Sequence, residues 1–243
     1  MLTTERCLEA IRVHSLGLAA AAEGNFDEAV ECCPGWDVSE LVWHLMEVHY
    51  FWASIVEGLI EDPNEVPEIP RPDTEAELLA GFRQGVDRLT GILASATQSA
   101  PVWTWSHQKD VAFVTRHQVQ EAAVHRWDAE NAAGREFSID PDIAADSIDE
   151  FLEHSTPGRY KEAVPMGGTL HIHATDIEGE WLLTEDDPET LRVERGHAKG
   201  DAALRGTASD LLLIMYRRYP VARGEIIGDA GVVERFLART DLD

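Results

Sequence analysis

The chain has 243 residues, 44% hydrophobic and 27% charged, the make-up of a folded protein with room for one large domain or two ordinary ones. Its 45 acidic against 20 basic side chains leave a formal charge of -25, a surface that repels phosphate backbones and anionic membranes alike. That charge argues against sequence-independent nucleic-acid binding and favours a small-molecule partner.

Met1 to Ala10 (MLTTERCLEA) carries charges where a secretory leader needs an apolar run, and no later stretch has transmembrane length. The three cysteines, Cys7, Cys32 and Cys33, have no framework spacing. The expectation is therefore a reducing, cytoplasmic compartment, with the protein a monomer or homodimer. The adjacent Cys32 and Cys33 read as small packing residues before a turn, with metal chelation the weaker alternative.

The first half reads as helices. Leu8, Ile11, Leu16 and Leu18 recur at roughly helical spacing over Thr3 to Ala22. After the Cys33-Pro34-Gly35-Trp36 turn, Asp37 followed by Glu40 has the spacing of a capping box and predicts a helix running to about Ile60. Four prolines between Glu61 and Asp73 make that stretch a loop. Further helices are expected over Thr74 to Ala96, Val114 to Ala133 (closed by Gly134) and Asp140 to His154. Such a series predicts an antiparallel bundle.

Beyond Gly158 the texture changes to alternation. Thr169 to Asp176, Gly179 to Thr184 and Thr190 to Glu194 read as strands, followed by helices over Ala208 to Arg218 and Gly231 to Arg239. The fold expected is α+β: a helical bundle over residues 1–157, then a smaller α+β domain over 158–243. The boundary is placed near Thr156 to Lys161.

Chemistry concentrates on two of the helices. Glu121 and His125 lie four apart, so they point about 40° from each other on one helix face and can reach a common ion. His44 sits among Leu41, Val42, Leu45 and Val48, on a face that should turn inward, where a buried imidazole needs a partner. Two histidines and a carboxylate, with a coordination position left over, are a catalytic rather than a structural arrangement for zinc. Spacing alone leaves alternatives open. Glu-x-x-x-His also occurs on solvated ion-pairing faces, and His117, four residues before Glu121, offers another ligand set. His49 lies about 140° around its helix from His44, unsuited to the same ion.

The segment Pro34-Gly35-Trp36-Asp37-Val38-Ser39-Glu40-Leu41-Val42-Trp43-His44-Leu45 resembles a signature of the mycothiol-dependent maleylpyruvate isomerase family, within the DinB-like metal-binding bundles. Glu121 to Glu130 (EAAVHRWDAE) resembles the same family's second metal segment. Leu170 to Asp176 and Arg205 to Leu213 are similar to its sterol-carrier-like C-terminal domain. The resemblance implies His44, Glu121 and His125 as ligands to a divalent metal, zinc by preference, and mycothiol as thiol co-substrate. It implies thiol-assisted cis–trans isomerisation of a small substrate, or thiol transfer. The contrasting expectation is a non-catalytic protein that binds an apolar ligand and holds its metal structurally through four protein donors.

Other residues carry expectations beside plainer readings. Arg217 and Arg218 suit a substrate carboxylate, or simply cap a helix C-terminus. His171 and His173 share one strand face and are expected to line the thiol cofactor's site, or to face solvent. Asp128 has the position to orient a ligand histidine, with a local pair to Arg126 or Arg135 as the alternative.

Overall fold

The structure, a computed structural model, describes residues 1–155, 165–187 and 190–240. The chain divides into two compact units, Met1–Ile139 and Asp140–Asp243. The first consists of α1 (Thr4–Ala22), α2 (Val38–Gly58), α3 (Glu75–Ser95) and α4 (Val111–Ala132). Each begins on an oxygen-bearing cap: Thr3, Asp37, Thr74 and Asp110 accept from backbone N–H groups of the first turn, satisfying donors with no intrahelical partner. The expected capping box is half made. Asp37 accepts from the Glu40 N–H at 2.9 Å, while the Glu40 carboxylate turns outward to Arg71.

The helices pack in the cyclic order α1–α3–α2–α4, so α2 and α4 are neighbours. Leu18, Phe26, Leu41, Leu45, Phe82 and Val86 fill the space between them. The proline-rich loop after α2 makes one 3₁₀ turn, Pro63–Glu65, as its prolines require. Helix α4 starts three residues before the sequence suggests, because Asp110 caps it. It is enclosed on nearly every side: Arg116, Gln118, Gln120, Asp128 and Glu130 are all buried.

The second unit contains α5 (Pro141–Glu150), continued by one π turn over Phe151–Ser155, and then β1 (Leu170–Ala174), β2 (Glu180–Asp187), β3 (Thr190–Arg195), β4 (Ala202–Gly206), α6 (Ala208–Met215), β5 (Glu225–Gly228) and α7 (Ala230–Ala238). The sheet order is β3-β2-β1-β4-β5, and only the β1–β4 pairing is parallel. Leu170, Ile172, Trp181, Leu183 and Leu204 form its buried apolar face. The α+β class is as expected, with a helical unit followed by a mixed one.

The boundary placed near Thr156 to Lys161 lies outside the described residues, and the compact units divide earlier, at Ile139/Asp140. Helix α5 belongs to the second unit because it packs against α6, and its Asp149 accepts from Trp181 Nε1 at 2.5 Å and from Arg195 Nε at 2.7 Å. Strands β4 and β5 form in segments to which the sequence reading assigned no element.

Gly228 ends β5 at φ 86°, and a Cβ there would sit 2.3 Å from the Asp201 carbonyl oxygen and 3.3 Å from Ala202 Cα. Both obstacles are backbone, so neither can swing aside. Gly228→Ala is expected to destabilise the second unit by about 2 kcal/mol or more, read from the urea midpoint. An unchanged midpoint would show that the β4–β5 edge gives way freely.

Candidate metal centre

The loop between α1 and α2 builds the first wall of the site. Gly35, at φ 88°, closes a turn in which the Trp36 N–H donates to the Cys33 carbonyl at 3.0 Å. The Val30 N–H donates to the Trp36 carbonyl at 3.0 Å, and Ala29 pairs with Asp37 across the loop. These bonds hold the Trp36 ring 4.9 Å from that of His44, in the second turn of α2.

From the neighbouring α4, Glu121 and His125 project one turn apart, with Oε2 and Nε2 separated by 3.4 Å. The His44 and His125 rings stand 5.1 Å apart at 77°. One donor atom from each of His44, Glu121 and His125 lies within 4.8 Å of the others. Donors 2.0–2.1 Å from an ion at tetrahedral angles stand about 3.4 Å apart, so the Glu121–His125 spacing needs no adjustment. All three side chains are half-buried.

Charge is arranged to suit a cation. His125 Nδ1 lies 2.9 Å from Oδ2 of Asp128, whose side chain is 0% exposed. Burial disfavours the imidazolium, but the hydrogen bonds to Asp128 and Glu121 outweigh it and push His125 up to about 9. For Glu121, burial disfavours the charged form, yet the hydrogen bond from His125 and the fields of His117, His125 and His44 hold its carboxyl at about 2. Burial and the His125 charge push His44 down to about 4, leaving its lone pair free of a proton at neutral pH. Asp128 therefore keeps a proton on Nδ1 of His125 and turns Nε2 toward Glu121, the side from which a metal would be bound.

The alternative ligands stand apart. His117 approaches Glu121 Oε1 at 3.5 Å, but its ring is stacked on Phe113 at 5.4 Å and 10°, with Trp52 and Trp105 edge-on. His49 is fully buried against Phe82, and neither of its ring nitrogens has a hydrogen-bond partner.

Residues 8–130 match the family model for the mycothiol maleylpyruvate isomerase N-terminal domain, and residues 142–235 match that family's C-terminal domain. The chain belongs to this family. Two solved structures share its fold. A histidine-to-alanine mutant of the mycothiol-dependent maleylpyruvate isomerase aligns with TM-score 0.60 and 12% identity over 93% of each chain. A second structure of that isomerase aligns with TM-score 0.54 and 14% identity, over 87% of this chain and 88% of the other. Among curated protein sequences no relative matches. At these identities the structural likeness establishes the mycothiol maleylpyruvate isomerase fold, while the candidate centre rests on this chain's own geometry.

The remaining candidates belong to the second unit. Arg217, at φ 61°, donates to the Thr240 hydroxyl at 2.6 Å and to the carbonyls of Met215 and Leu237, tying the ends of α6 and α7 together. That is the helix-end role weighed against carboxylate binding. Arg218 Nη1 donates to the Tyr216 carbonyl at 3.0 Å. His171 and His173 share one face of β1, as alternation requires, and His171 Nε2 meets Glu180 Oε2 at 2.8 Å. His197 Nδ1 reaches the same Glu180 oxygen at 2.7 Å.

Sequence reasoning passed over Glu180 and His197, and weighed Cys32 with Cys33 only as packing residues or a chelating pair. Cys32 donates its thiol to the other Asp128 oxygen at 3.0 Å, so it helps fix the carboxylate behind His125 and is more than a packing residue. The one sequence cue was its place beside the Pro34-Gly35-Trp36 turn. No described helix is long and apolar enough to cross a membrane.

Proposed function

We propose that this protein is a metal-dependent enzyme that uses mycothiol for cis–trans isomerisation of a small maleylpyruvate-like substrate, or for thiol transfer to a related electrophile. The observation that carries the reading is the convergence of His44, Glu121 and His125 within 4.8 Å, with Asp128 fixing the tautomer of His125. A divalent ion held by these residues, zinc by preference, would supply a Lewis acid that lowers the pKa of a bound thiol.

The protein's own groups then have separable tasks. Glu121 brings the one negative charge of the ligand set, His44 a neutral donor, and His125 would become one when an ion displaces the Nε2 proton it carries beside Glu121. Asp128, anchored by Cys32, keeps the His125 proton at Nδ1. Trp36 walls one side of His44 and limits water there. Three donors, with His117 outside the cluster, support a centre that keeps a position open for the thiol rather than a closed structural one.

Calorimetric titration of mycothiol into zinc-loaded and zinc-stripped protein tests the reading, with maleylpyruvate conversion followed alongside. Saturable thiol binding that requires the metal is expected, with turnover of maleylpyruvate or of a thiol-accepting electrophile. Loaded protein that ignores mycothiol would overturn the proposal and leave the non-catalytic binding protein in its place.

A further inference from the structure

The second unit contains a donor cluster for which the proposed reaction has no use. His171 on β1, Glu180 at the start of β2 and His197 just after β3 offer one donor atom each, all within 4.8 Å of one another. His171 Nε2 and His197 Nδ1 both crowd Glu180 Oε2, at 2.8 and 2.7 Å. The two imidazole rings stand 5.4 Å apart at 87°, the edge-on disposition that lets two nitrogens aim at one point. His173 lies on the same face, its ring 5.8 Å from that of His171, and faces Glu180 directly across the β1–β2 pair.

The segment carrying His197 is fastened to the strands that carry the other donors. At one end, the Gly196 N–H donates to the Glu180 carbonyl at 2.9 Å. At the other, Gly200 passes so close to β1 that a Cβ would lie 2.9 Å from the His171 backbone nitrogen and 2.6 Å from the Ala202 carbonyl oxygen. His197 is thus held at both ends of its loop, although its side chain is 78% exposed. Nearby positive charge is already compensated: Arg205, opposite His173 in the β1–β4 register, pairs with Glu225 at 2.9 Å. A surface ion pair explains one imidazole on a carboxylate. It does not explain two imidazoles converging on the same oxygen with a third alongside.

We infer that His171, Glu180 and His197 form a second binding site for a divalent transition-metal ion, separate from the centre on α2 and α4. Two imidazoles and one carboxylate suit zinc, nickel, cobalt or copper rather than magnesium or calcium. Exposure of His197 leaves the ion open to solvent on that side, with His173 placed to add a donor. The inference does not depend on the proposed reaction.

The test is zinc binding by untagged, full-length protein that has first been stripped of metal, read as equivalents retained after dialysis. Two equivalents are expected for the parent. One should remain in the double variant His44→Ala/His125→Ala, and a different one in His197→Ala. None should remain when all three are replaced. His197 is exposed, so its variant should melt with the parent when both are metal-free, and zinc should raise the melting temperature of His44→Ala/His125→Ala but not of the triple variant. If His197→Ala keeps the full parental stoichiometry, or the double variant binds no zinc, the second site is refuted. A parent that binds one equivalent and loses it only in His197→Ala would support this site and refute the other. The opposite pattern would do the reverse.

Discussion

Replacing His125 with alanine is expected to empty the centre on α2 and α4 and to remove metal-dependent mycothiol binding. Loss of a residue that merely orients a ligand costs 10–100-fold in metal affinity, so loss of a ligand should cost about 10³-fold or more. The same change strips a partner from Asp128, whose side chain is 0% exposed and also accepts from the Cys32 thiol. Breaking a buried charged pair costs about 3–5 kcal/mol, so His125→Ala should also lower the denaturation midpoint. Glu121→Gln separates the two effects. It preserves volume and leaves one acceptor oxygen for His125 while removing the one anionic ligand, so it should cost less stability than His125→Ala and still lose its metal. Elemental analysis at matched denaturant midpoints reads the outcome. Full metal content in His125→Ala would show that the three side chains converge for another reason.

A second large effect should come from His49. Burial pushes this imidazole down from its ordinary value of 6.5 to about 3, so it stays neutral in the fold throughout the mildly acidic range. The unfolded chain takes up a proton there below pH 6.5. A group whose folded pKa is depressed in this way drains stability as the pH falls from about 6.5 toward 3. By pH 4 the difference amounts to about 3 kcal/mol, at 1.36 kcal/mol for each pH unit. His49→Leu should remove this share of the acid sensitivity and leave the smaller share that His44 contributes. It should also match or exceed the parent at pH 7, because two buried ring nitrogens without partners disappear and contact with Phe82 is kept. Urea midpoints at pH 7 and pH 4 decide the matter. Parallel losses in parent and variant would mean that another group governs acid unfolding.

How much of this was legible beforehand depended on the kind of signal. Helices α1 to α3 announced themselves through apolar spacing, and Asp37 marked the start of α2. Strand β1 was readable because Leu170 and Ile172 alternate with His171 and His173. Strands β4 (AALRG) and β5 (EIIG) are too short to alternate convincingly, and β4 is recruited by its parallel pairing to β1 across a distant register. Periodicity also showed that α5 is a helix without showing which core Ile143 and Ile148 enter. Amphipathicity was of little help in α4, where polar side chains are buried beside apolar ones.

The candidate centre followed a similar division. Spacing placed Glu121 and His125 on one face, but nothing in the residues says that α2 lies beside α4. That adjacency, which brings in His44, came from resemblance and is present in the packing. The Cys32–Asp128 bond joins residues 96 positions apart, and the convergence of His171, Glu180 and His197 spans two strands and a loop. Neither leaves a local trace. A structure is needed to see them.

The division of the chain at Ile139/Asp140 bears on how such a protein can be altered over time. Every donor of the α2–α4 centre, along with Asp128, Cys32 and Trp36, is encoded before that point. Inheritance can therefore recombine or diversify the later segment without touching any of them. A gene fusion or loop insertion beyond residue 139 changes what accompanies the centre and preserves the donors that compose it. In this architecture the candidate centre and the second unit can drift at different rates, which is one way a shared scaffold comes to serve different substrates.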